Sequence, residues 1–257
     1  MLSNVLNEPS RDTSPYPSAQ GWRKNAALVM GFGALIILVK VSNAIASVVT
    51  AVTESRTFQV DVIATMLGEI LVMLVGVLLV TGGVSGWRRF LKVDRFNLKN
   101  LSIGIACGVG MWIALQIVSA IIKSITGEGV GVSSTENSLE ALSGPWLIFL
   151  WLVGTPLIIP LLEETFFRGM VLSCFQSGCK TKRWGQVLGV LFGSIWFSLI
   201  HVQGFSSVTD WFIITWTMAI GAINSILTLR QESIWCAFGL HATYNTVTVL
   251  ASILLLS

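Results

Sequence analysis

Residues Pro160 to Gly169 read Pro-Leu-Leu-Glu-Glu-Thr-Phe-Phe-Arg-Gly, so two adjacent carboxylates and a guanidinium lie inside an apolar run that starts near Pro145 and continues past Leu172. An ionised side chain near the centre of a spanning helix costs about 2.5–3.5 kcal/mol on insertion scales, so Glu163 and Glu164 need partners there. On a helix Arg168 lies four residues after Glu164, on the same face, and can neutralise that one carboxylate. Glu163 points about 100° away and needs a second partner. The chain holds two histidines, His201 and His241, each in a later apolar segment. The residue types therefore predict a polar site inside the bilayer in which Glu163 is matched with imidazoles. Two further spacings add to it. Phe197 and His201 stand one helical turn apart, as do His241 and Asn245, which puts an imidazole and an amide on one face. Either histidine alone reads as an ordinary hydrogen-bonding group; their convergence on a double carboxylate suits proton transfer. Glu163, His201 and His241 could also serve as three zinc ligands with an open position for water, although the HExxH helix of zincins is absent.

These groups must be held by membrane helices. The chain has 257 residues, of which 53% are hydrophobic and 11% charged, and its mean hydropathy is +0.77. Soluble domains carry about 25% charged residues. Apolar stretches of roughly 20 residues recur along the chain, which reads as an all-α, polytopic transmembrane bundle of about seven spans. A formal charge of +3 is too small to suggest a nucleic-acid partner. Cys107, Cys174, Cys179 and Cys236 show no CxxC spacing and read as reduced thiols.

Residues 1–22, polar and with Pro9, Pro15 and Pro17, read as a disordered cytoplasmic tail. The apolar run after Lys24 shows no small-x-small cleavage site and reads as a signal anchor. Residues 23–144 supply helices over Ala26–Thr50, Val60–Gly83 and Leu101–Ile122. Residues 145–257 supply the Glu-Glu region and helices over Gly185–Val202, Val208–Leu229 and Ile234–Leu256. With the N-terminus inside, the cytoplasmic segments hold Arg11, Arg23, Lys24, a cluster from Arg88 to Lys99, then Lys180, Lys182, Arg183 and Arg230, while outer loops hold only Arg56 and Lys123. That bias predicts a multi-pass protein with a cytoplasmic N-terminus. Trp22, Trp87, Trp146, Trp184, Trp211 and Trp235 fall at span ends, as interfacial anchors do. Gly104/Gly108 and Gly189/Gly193 are small-xxx-small pairs, read as close packing within the bundle. The oligomeric state stays open.

Depth tests the site. If the fourth region runs to about Gln176, Glu163 and His201 both lie roughly 20–25 Å from the inner face at 1.5 Å per residue. Gly154, Pro156 and Pro160 then predict a break on the outer side, which would split the region and give eight spans. Non-helical backbone there would have to line a cavity. Lys40 and Glu69, at equal depth on neighbouring helices, read as a structural ion pair. Asn43 and Asn224 read as interhelical hydrogen-bonding residues, and Asp61 as interfacial.

Glu163-Glu164-x-x-x-Arg168-Gly169, then Phe197-x-x-x-His201, then His241-x-x-x-Asn245, on successive membrane segments, resembles the CAAX protease and bacteriocin-processing family, intramembrane endopeptidases related to the type II CAAX prenyl protease. The resemblance covers roughly residues 145–249 and leaves the first three helices without a motif. It implies a catalytic cavity inside the membrane where Glu163 acts as general base on water. His201 would hold that water, His241 and Asn245 would stabilise the oxyanion, and Glu164 with Arg168 would orient the site. It implies no required cofactor, with one divalent metal, zinc at Glu163, His201 and His241, as the alternative. The implied partners are membrane lipids and a membrane-associated peptide or protein, lipidated or not. Short loops and compact size suggest a bacterial plasma membrane. Two other classes fit an intramembrane cluster of charge. A transporter should show internal repeats, which this chain lacks; a silent immunity or scaffold protein would keep the fold without cleavage.

Overall fold

The structure, a computed structural model, describes residues 33, 73–78, 96–127, 130, 150–179, 181–201 and 205–256. The expected tail, most of the first two helices, the basic cluster at 88–95, Lys40, Asn43, Asp61 and Glu69 lie outside them. Every element among the described residues is helical and none is a strand. In order these are α1 (Leu98–Thr126), a long helical stretch α2 (residues 150–178), α3 (Lys182–Leu199), α4 (Val208–Gln231) and α5 (Trp235–Leu256). Two of them, α1 and α4, are long and apolar enough to cross a membrane.

The helix ends follow from local chemistry. Asn97 accepts the Lys99 N–H at 2.8 Å to start α1, and Gly127, at φ 76, closes it by donating its N–H to Lys123 at 2.9 Å. The Thr181 hydroxyl caps α3. A reciprocal pair opens α4: the Ser207 hydroxyl accepts the Asp210 N–H at 3.0 Å, and the Asp210 carboxylate accepts the Ser207 N–H at 2.9 Å. Trp184 and Trp211, in the first turns of α3 and α4, are exposed, as interfacial anchors require. Along α1 the isoleucines at 113, 117, 121 and 125 recur every fourth residue and are all exposed. Such a stripe is suited to lipid.

The expected break in the fourth region is not a break. Leu150–Ile158 and Thr165–Val171 are π-helical, Ile159–Glu164 and Leu172–Gly178 α-helical, and Ile158, Glu164, Thr165, Val171 and Leu172 all keep right-handed helical backbone. At the second junction the Leu172 N–H reaches Phe167 O, five residues back. The wider turn takes Pro156 without ending the helix, so α2 does not split and no non-helical backbone lines a cavity there.

Packing confirms the reading of Gly104 and Gly108. A Cβ on Gly104 would overlap the Cys236 carbonyl and come within 2.9 Å of Leu240 N, and one on Gly108 would sit 2.5 Å from Leu240 O. Backbone therefore meets backbone where α1 crosses α5. The pair on α3 divides: Gly189 lies against Leu172 of α2, whereas a Cβ on Gly193 would meet nothing within 4 Å. On α4, Gly221 lies against Ser194 and Phe197 of α3. The core that results holds Phe166, Phe167, Met170, Phe197, Leu240 and Tyr244.

Candidate active site

Glu164 is the hub. It is fully buried on α2, and its Oε1 accepts from three elements: Arg168 Nη1 at 3.1 Å, Asn224 Nδ2 of α4 at 2.9 Å, and His241 Nδ1 of α5 at 2.9 Å. The Arg168 contact is the ion pair expected from the four-residue spacing, with both side chains sealed from solvent. Arg168 is held elsewhere too. Its Nη2 donates to the Gly221 carbonyl at 3.1 Å, and its guanidinium lies 4.5 Å from the Phe197 ring centroid. That arrangement suits a desolvated cation.

Glu163 meets the other edge of the same imidazole. His241 Nε2 stands 3.6 Å from Glu163 Oε2, both groups being buried. With Glu164 ionised beside Arg168, His241 Nδ1 carries the hydrogen that it donates to Oε1, and this fixes the ring so that Nε2 addresses Glu163. Sequence reasoning paired Glu163 with imidazoles; the structure brings it to His241 and adds that Glu164 holds the same ring in place.

His201 lies at the end of α3. Its N–H turns back to Ser198 O at 3.0 Å, which leaves the Phe197 carbonyl to the ring, and Nδ1 meets that oxygen at 2.7 Å. A carbonyl only accepts, so Nδ1 carries the hydrogen and Nε2 is the accepting nitrogen. The Phe197 ring packs between the histidines, with centroids 4.7 Å from His201 and 5.5 Å from His241. Asn245 donates from Nδ2 to Thr155 O of the first π-helical segment at 3.1 Å. Pro160, five residues after Thr155, has no N–H to return to that carbonyl, and the amide supplies the donor. Trp216 Nε1 donates to Tyr244 Oη at 3.0 Å and ties α4 to α5 beside the site.

Asn224 was legible only in part. The expected interhelical hydrogen bond is present, but its acceptor is a site carboxylate. The available signal was a count of donors: two buried carboxylates and one guanidinium leave acceptor oxygens that an intramembrane amide can satisfy. Among the described residues no three His, Cys, Asp or Glu side chains are gathered to hold a metal ion. Cys107, Cys174, Cys179 and Cys236 form no disulfide.

Residues 145–247 match the family model described as type II CAAX prenyl endopeptidase Rce1-like. The matched segment spans α2 to α5 and contains every residue of the cluster. Comparison with curated proteins and with solved structures returns no match. The matched model describes a prenyl endopeptidase, and α1 and α4 are long and apolar enough to cross a membrane.

Proposed function

We propose, on the match of residues 145–247 to the Rce1-like type II CAAX prenyl endopeptidase model, that the chain is an intramembrane endopeptidase that hydrolyses a peptide bond of a membrane-associated peptide or protein. One observation carries the reading: adjacent glutamates of α2 clasp the two nitrogens of His241, at 2.9 and 3.6 Å, in the buried interior. Such a cluster is costly in lipid and marks a functional site.

In this reading Glu163 takes a proton from a water molecule whose other contact is His201 Nε2. The hydroxide adds to the scissile carbonyl carbon, and the oxyanion receives hydrogen bonds from the second N–H of the Asn245 amide and from His241 Nε2 when the ring carries a proton there as well as on Nδ1. Donors fixed in a low-dielectric site are worth about 2.7–4 kcal/mol each to a developing oxyanion. Glu163 then passes its proton to the leaving nitrogen as the C–N bond breaks. Glu164, with Arg168 and Asn224, keeps His241 oriented. No metal is assigned a step, and cleavage is expected to survive stringent chelation.

The test is proteomic and biochemical. Peptides that accumulate in cells carrying Glu163→Gln, relative to the unaltered protein, identify substrates, and the purified protein should cleave them. Glu163→Gln should abolish cleavage while leaving the melting temperature within a few degrees. A variant that retains cleavage overturns the assignment of the base; a chain with no substrate but an intact cellular phenotype overturns the enzyme reading.

A further inference from the structure

A groove of about 590 Å³ runs between α3 and α4, outside the glutamate–histidine cluster. Its walls include Val187, Val190 and Leu191 of α3 and Met218, Ala222 and Ile226 of α4. Its two hydroxyl residues are satisfied within their own helices: Ser194 Oγ donates to Val190 O and Thr215 Oγ1 to Trp211 O. The lining is therefore hydrocarbon in character. By helical rise it extends about 12 Å along α3, from Gln186 to Ser194, and about 21 Å along α4, from Thr215 to Leu229. One leaflet of a bilayer core is about 15 Å thick.

The mouth of the groove is cationic. Arg183 precedes Gln186, Val187, Val190 and Ser194 by three, four, seven and eleven residues, so it continues their stripe on α3. Arg230 follows Ile226 by four and Ala219 by eleven residues, and continues the stripe on α4. Gly221 lies against Ser194, and Ser198 Oγ donates to Ile214 O at 2.7 Å, which fixes the two helices antiparallel. Counting outward from Ser194 and Gly221 brings both arginines to the same end, within one turn of each other in height. Both are exposed, with Lys182 beside them, and among the described residues Glu232 is the acid at that end.

We propose that this groove binds one anionic phospholipid of the bilayer, its acyl chain lying between α3 and α4 and its phosphate between Arg183 and Arg230. The inference rests on the membrane reading but not on the catalytic one. Hydrocarbon walls select a chain, and the excess of cations at the mouth selects a negative headgroup over a zwitterionic one.

The test uses the full chain, purified in mild detergent and titrated with phosphatidylglycerol or phosphatidylcholine, with lipid retention read by native mass spectrometry. One phosphatidylglycerol should be retained in preference to phosphatidylcholine. Arg183→Gln/Arg230→Gln, at two exposed positions, should weaken that binding roughly 30-fold while leaving thermal melting unchanged. Ala222→Leu, which fills the groove, should displace the lipid with both arginines intact. Equal retention of the two lipids overturns the proposal, as does retention undiminished in the double variant, or displacement of the lipid by inorganic phosphate at equal concentration. Occupation by a second copy of the chain, seen as a dimer that excludes lipid, also overturns it. Recovery of the protein in the membrane fraction reports separately on the membrane reading, so the two failures are distinguishable.

Discussion

Replacing Glu164 by glutamine keeps the shape of the hub and removes its charge. Arg168 would then be a buried cation, only 1% exposed, with its carboxylate partner gone. Removing one member of a buried pair typically costs about 3–5 kcal/mol. Arg168 keeps the Gly221 carbonyl at 3.1 Å and the face of Phe197 at 4.5 Å, and a desolvated cation–π contact is worth up to about 2 kcal/mol. Glutamine can still accept from Asn224. These residual contacts place the expected loss in the lower part of the range, about 3–4 kcal/mol. For a chain of this size each kcal/mol moves the melting temperature by about 2–4 °C, so Glu164→Gln should melt roughly 6–16 °C lower. The sharper prediction is one of sign. Adding Arg168→Met to Glu164→Gln removes the stranded cation and should raise the melting temperature above that of the single variant, because a neutral pair of similar volume avoids the desolvation cost. Tryptophan-fluorescence melts of the full chain in detergent measure both. A double variant that melts below the unaltered protein by the sum of the two single losses would refute the claim that these side chains form one electrostatic unit.

Three other perturbations follow from the geometry. Asn224→Leu removes a hydrogen bond to a charged group and should cost about 1.5–3 kcal/mol in melting experiments; cleavage should fall through kcat more than KM, because His241 loses its anchored partner and not its contact with substrate. Gly104→Ala forces a methyl group into the backbone of α5 and should destabilise by at least about 1–3 kcal/mol, whereas Gly110→Ala, where a Cβ meets nothing within 4 Å, should stabilise α1 by up to about 1 kcal/mol. Asn245→Ala should cost about 1 kcal/mol through the lost bond to Thr155, and adding Pro160→Ala should restore the melting temperature by returning a backbone N–H to that carbonyl. Cleavage should stay low in that double variant if Asn245 also serves the oxyanion.

What could be read in advance divides along a physical line. Helix geometry fixes side chains four residues apart, so the Glu164–Arg168 pair and the shared face of His241 and Asn245 were visible in the chain itself. The cost of charge in lipid made Glu163's need for an imidazole a matter of counting residue types. Contacts between helices depend on register, which no local spacing sets. Asn224 reaches Glu164 because Gly221, one turn before it, lets α4 approach α3 at Ser194 and Phe197. A different depth of approach would direct the same amide elsewhere. The His201 ring meets the Phe197 carbonyl because α3 ends there, and the last carbonyls of a helix lack backbone donors; an imidazole one turn on takes the place of the missing N–H.

The two prolines of α2 were misread for a related reason. A proline removes one backbone bond and crowds the turn before it, which in an α-helix ends or bends the helix. In a π-turn the carbonyls are spaced more widely, and the deficit appears instead as a carbonyl that must find a donor outside its own helix. Thr155 finds it in Asn245. The proline pattern is thus not a hinge that opens a cavity but a socket for a side chain of α5. The same α5 carries His241 one turn earlier, so the bond at Thr155 and the bond at Glu164 fix α5 against α2 at two heights. With both contacts in place, His241 is held where its Nε2 stands 3.6 Å from Glu163 Oε2.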